Sequence, residues 1–268
     1  MIDDDSKTPP TEPSVEMKLP EFFERFIEST MTTERFHDLI VEIANQENVQ
    51  EPELRKLVLN GITRLIAHVQ EQRVLTSDEI NRIIELDDLF CLKPEELTVA
   101  EIPQKLMMHL QLNALDEGTI AAHSNPMNAE TSVILQRDES IIWVLGVGYN
   151  EIKDHTRYVG GSQGLSIRLI KGVYYRTGAF AGHKITEQGI EFHLGDLTIT
   201  NKVMFFVDFA GTTIVRIDIP KIVAMESYAD GFKVVMGGAK PKPFTFVADV
   251  QDTWFASNVI SRITQSAG

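Results

Sequence analysis

The chain has 268 residues, 43% of them hydrophobic and 24% charged, a composition that fits a soluble globular protein long enough for two domains. A net charge of −14 argues against nucleic acid as the main partner, because phosphate binding draws on clustered Lys and Arg. A single cysteine, Cys91, excludes an intramolecular disulfide and a cysteine-based zinc site, and fits a reducing compartment.

The charge is unevenly placed. Residues 1–130 carry 26 acidic and 11 basic side chains, a balance of −15, whereas residues 131–268 carry 13 and 14, a balance of +1. Two units with different surfaces are expected. No apolar run reaches the ~20 residues that span a bilayer. The acidic, proline-containing start MIDDDSKTPPTEP is the reverse of a signal peptide. The expected location is the cytoplasm.

Residues 1–17 hold Pro9, Pro10 and Pro13 with few apolar residues and are expected to be a disordered acidic tail. Residues 18–112 read as an all-α helical bundle. Pro20 suits a first helical turn, followed by Phe22, Phe23, Phe26 and Ile27 at helical spacing. Thr32 or Thr33 suits the cap of a second helix with Phe36, Leu39, Ile40 and Ile43 on its apolar face. Asn48 to Pro52 breaks it, and a third face runs from Leu54 to Val69. Ser77-Asp78-Glu79 fits the cap and acidic first turn of a fourth helix, whose face is Ile80, Ile83 and Ile84, with Leu86 a further candidate. A short helix from Lys93-Pro94 and a last one from Ile102 to Leu112 complete the bundle. Residues 113–131, with Gly118, Pro126 and three Asn, are expected to be a linker.

The second unit, 132–268, reads as short antiparallel strands. Ser140 to Val147 is a buried strand run, and Tyr149 to Thr156 is polar and charged. Leu197 and Ile199, then Val203, Phe205 and Val207, alternate as in a strand with one buried face. Asn201-Lys202 and Phe209-Ala210-Gly211 break the run. Asp230-Gly231 fits a type I′ hairpin turn into Phe232 to Val235. Asp249 or Asp252 suits the cap of a last helix carrying Trp254, Phe255, Val259, Ile260 and Ile263. The sum is a partly open β-barrel or sandwich stoppered by a C-terminal helix, in an α+β chain of two domains.

Two resemblances accompany this reading. In the stretch VQEQRVLTSDEINRIIELDDLFCLKPEEL, the helical unit resembles the small domains of the TerB-like type. Carboxylate metal binding, which that likeness suggests, has no support in spacing, since adjacent Asp87 and Asp88 do not share a helix face. The span Glu139 to Thr264 resembles bacterial PH-like domains of the GRAM-related kind, on the segments GDLTITNKVMFF and IDIPKIVAMESYADGFKVV. That family binds acidic lipids, peptides or proteins, so the resemblance implies the fold and leaves the ligand open.

No catalytic motif emerges. Gly160-Gly161-Ser162-Gln163-Gly164 lacks the Lys-Ser/Thr ending of a P-loop and reads as a turn, and Gly146-Val147-Gly148 lacks the third glycine of a dinucleotide site. The seven histidines form no close pair, so neither metal nor cofactor is expected. The densest basic set of the second unit is Arg168, Lys171, Arg176 and Lys184. It fits either a patch for an anionic group or ordinary charge on exposed strands. The sequence therefore points to a non-enzymatic adaptor binding protein partners or its own copy. The alternative is a peripheral membrane protein reading anionic lipid headgroups.

Overall fold

The computed structural model describes residues 15–28, 30–119, 134–159, 165–170, 173–177, 183–239 and 242–266, with the backbone alone described for 15–20, 154–188 and 266. The chain divides into two compact units, Met1–Asn128 and Ala129–Gly268.

The first unit is helical: α1 Val15–Ile27, α2 Thr33–Gln46, α3 Glu51–Gln70, α4 Ser77–Phe90, α5 Pro94–Val99 and α6 Ile102–Asp116. Pro20 is the sixth residue of α1 rather than part of its first turn. Thr32 caps α2, its hydroxyl accepting from the Arg35 amide at 3.3 Å. Asn48, at a φ of 55°, turns the chain into α3, whose first turn holds Pro52.

At α4 the cap is Thr76, and Ser77 is the first helical residue. The extended backbone of Thr76 lets its hydroxyl accept from the Glu79 amide at 3.3 Å, while the Glu79 carboxylate accepts from the Thr76 amide at 2.8 Å. Helix α6 runs past Leu112 to Asp116, held by Asn113 Nδ2 donating to the Leu75 carbonyl at 2.8 Å.

The helices close over one core. Phe36 sits 4.9 Å from Phe23, 4.8 Å from Phe26 and 6.3 Å from Phe90, centroid to centroid. From α4 the core takes Ile80, Ile83, Leu86 and Phe90. Ile84, expected on that face, is 49% exposed.

The second unit contains β1 Ile141–Val159, β2 Leu165–Ile170, β3 Val173–Thr177, β4 His183–Thr200, β5 Val203–Asp208, β6 Thr213–Asp218, β7 Ile222–Tyr228, β8 Gly231–Met236, β9 Lys242–Val247 and α7 Val250–Ser266. Seven strands form one antiparallel sheet in the order β6-β5-β4-β1-β9-β8-β7, and β2-β3 form a separate hairpin. Phe206 on β5 and Phe246 on β9 lie three strand steps apart, about 14 Å on a flat sheet. Their rings are 6.2 Å apart, with Tyr149 between them at 5.4 Å from each, so the sheet is folded over on itself. Helix α7 seats Phe255 against Trp143 at 4.8 Å, and Asp249 caps it by accepting from the Asp252 amide at 2.7 Å. This is an α+β chain, with a helical unit followed by an antiparallel sheet folded on itself and a C-terminal helix.

The polar and charged stretch Tyr149 to Thr156 continues β1, paired throughout to β4. Two local expectations change. The innermost residues of β5 are Met204 and Phe206, not Val203, Phe205 and Val207. The register sets Met204 opposite Ile199 and Phe206 opposite Leu197, with the Phe206 ring against Tyr149 and Phe246, and the alternate residues are buried as well. The β7–β8 turn is Ala229-Asp230, with Gly231 already paired to Tyr228. A Cβ on Gly231 would lie 2.0 Å from the Phe246 carbonyl oxygen, so this glycine serves strand packing against β9.

Candidate functional site

Strand β9 leaves β1 after Gly148–Asn150, and beyond that point β1 and β4 continue as a two-stranded ribbon. Side chains alternate between its faces, and directly paired residues share one. The face that holds Trp143, Leu145, Val147 and Tyr149 in the core continues with Glu151 and Lys153, and on β4 it carries His193 opposite Tyr149 and Glu191 opposite Glu151. The core face thus turns charged where the sandwich ends.

The charged residues converge. Lys153 Nζ donates to Glu191 Oε2 at 2.5 Å and lies 3.2 Å from Glu151 Oε2. His193 Nε2 lies 3.4 Å from Glu151 Oε2 and 3.9 Å from Glu191 Oε2, its ring stacked toward Tyr149 at 6.4 Å. Hydrogen bonds to Glu191 and then Glu151 raise the Lys153 pKa. Burial, reinforced by Glu151, raises that of the Tyr149 hydroxyl.

The other face of the ribbon is apolar and open. Ile152 pairs with Ile190, and Phe192 and Leu194 follow along β4, all four more than half exposed. Gly148 makes room for the Phe192 ring, which a Cβ there would meet at 2.5 Å. Contiguous exposed apolar side chains of this kind mark interaction surfaces.

The backbone places three of the four basic residues singled out in the sequence. Arg168 on β2 pairs with Tyr174, and Arg176 on β3 pairs with Ser166, so both belong to the separate hairpin. Lys184 lies on β4 opposite Tyr158. Lys171 lies outside the described residues.

The helical unit holds a second candidate, a groove of about 280 Å³ between α3, α4, α5 and α6. Ile83, Ile84, Leu97, Leu106 and Leu110 form much of its wall, and Asp87 is its one charged side chain. Burial, with Asp88 adding repulsion, raises the Asp87 pKa. The sequence hid both places. Glu151 and Glu191 are forty positions apart and meet only through strand register, and Ile84 reads as core until the packing of α4 leaves it at the lip.

Comparison with known protein families finds no match, and neither does comparison with curated sequences. Among solved structures, the chain is similar to the DH/PH domains of PDZ-RhoGEF in complex with GTP-γ-S-activated RhoA. The identity is 11% over 95% of this chain and 69% of that one, at a TM-score of 0.30. It is also similar to the N-terminally truncated linker-DH/PH domains of p115-RhoGEF, at 11% identity over 94% and 70% of the two chains and a TM-score of 0.28.

Proposed function

We propose that the chain is a non-enzymatic binding protein whose helical unit takes up an amphipathic helix of a protein partner. The observation that carries this reading is the groove between α3, α4, α5 and α6, apolar along its walls with the single carboxylate of Asp87 among them. A helix presenting residues at i, i+3, i+4 and i+7 fits such a groove. The partner's helix is basic on this reading. The half of the chain that contains the groove carries a balance of −15, and a Lys or Arg opposite Asp87 offsets the burial of that carboxylate.

A labelled amphipathic peptide of Leu and Lys, titrated with the full chain by fluorescence anisotropy, tests this. Saturable binding is expected, falling at least tenfold in Ile84→Glu and several-fold in Asp87→Asn. Ile84 is half exposed, so its replacement leaves the fold intact, which circular dichroism checks. Undiminished binding to Ile84→Glu overturns the reading.

A further inference from the structure

We propose that Glu151, Glu191 and His193 form a binding site for a divalent transition-metal ion of the zinc class, in which Lys153 is the resident cation that the metal displaces. The proposal is independent of the groove on the helical unit.

Three observations carry it. Glu151 and Glu191 are paired directly across the β1–β4 ribbon, an arrangement of like charges that costs stability unless a cation lies between them. Lys153 supplies one, with its ammonium between the two carboxylates. Next, His193 brings a nitrogen donor to the same point. Its Nε2 is closed off from solvent and makes no hydrogen bond, although it lies 3.4 and 3.9 Å from the carboxylate oxygens. Finally, one donor atom from each of the three residues falls within 4.8 Å of the others. Bonds of about 2.0 Å in a tetrahedral site set ligand atoms roughly 3.3 Å apart, so small side-chain rotations close the set.

The chemistry of the donors selects the ion. One imidazole nitrogen and two carboxylate oxygens suit zinc and its neighbours, while calcium and magnesium prefer oxygen alone and more of it. Three protein ligands leave a fourth position for water. Lys153 reaches the site on a flexible four-carbon arm and is itself partly exposed, so its ammonium moves to solvent when the metal enters. Both carboxylates are then neutralised by an ion of twice the charge.

The experiment is a competition titration of the chelator-treated full chain with zinc and a fluorescent zinc indicator at pH 7. The expected result is a site that weakens at least tenfold in His193→Gln and in Glu191→Gln, and tightens several-fold in Lys153→Met. X-ray absorption of the zinc-loaded protein is expected to show only nitrogen and oxygen neighbours. Zinc affinity unchanged by His193→Gln, or weakened by Lys153→Met, overturns the proposal. So does a wild-type chain that binds no more zinc than the Glu191→Gln, His193→Gln double variant.

Discussion

His109 on α6 accepts a hydrogen bond through Nδ1 from the backbone amide of Leu75, 34 positions earlier, at 3.0 Å. The imidazole and Leu75 are fully buried. This bond fixes the turn between α3 and α4 onto the last helix, next to the Thr76 capping box and the paired Arg73 and Glu79, whose shortest approach is 2.6 Å.

That geometry sets a pH dependence. Burial pushes the His109 pKa from 6.5 down to about 4, with Glu79 pulling upward and Arg73 pushing down. The unfolded chain therefore takes up a proton before the folded one does. Stability is fully present above pH 6.5 and is lost as the pH falls toward 4, by up to about 3 kcal/mol. Urea unfolding is expected to give a lower midpoint at pH 5 than at pH 7.5, and His109→Asn is expected to flatten the difference. Equal midpoints contradict the assignment.

Gly61 on α3 lets Phe23 lie against the helix, for a Cβ there would come within 2.1 Å of the Phe23 ring. Gly61→Ala gains helix propensity, about 1 kcal/mol, but forces a fully packed ring aside at about 1–3 kcal/mol. A net loss in urea-unfolding free energy is expected. Phe23→Leu in the Gly61→Ala background is expected to cost less than Phe23→Leu alone.

Gly231 combines a φ of 149° with an approach to the Phe246 carbonyl that no side chain tolerates. Gly231→Ala is expected to destabilise the second unit by about 2 kcal/mol or more, since strand β8 must part from β9. Faster amide exchange along Phe232 to Val235 is the measurement. Exchange unchanged from the wild type counts against this account.

Cys91 ends α4 in the left-handed region, at a φ of 47°, while the Leu92 amide donates to the Asp87 carbonyl at 3.1 Å. This is the position that glycine occupies in a Schellman ending. Cys91→Gly is expected to raise stability by about 1 kcal/mol, read as a higher melting temperature. A lower melting temperature would show that the exposed thiol contributes more than the backbone strain costs.

The sequence alone determined much of the architecture, because the signals involved are local. Apolar residues at helical spacing specified α2 and α3, and Asn201-Lys202 and Phe209-Ala210-Gly211 marked the ends of β4 and β5. Asp249 announced α7 through a bond to a backbone amide only three positions away.

What the tertiary structure decided lies in pairings between distant residues. Strand register placed Met204 and Phe206 innermost, because alternation names two faces and only the neighbouring strand chooses between them. Strand β1 continued through its charged stretch because β4, forty residues removed, pairs with it along its length and the Lys153 ammonium lies between the facing carboxylates of Glu151 and Glu191. The packing of α4 likewise moved Ile84 from core to groove, since a helical period fixes which residues share a stripe and the neighbouring helices fix how much of it they cover.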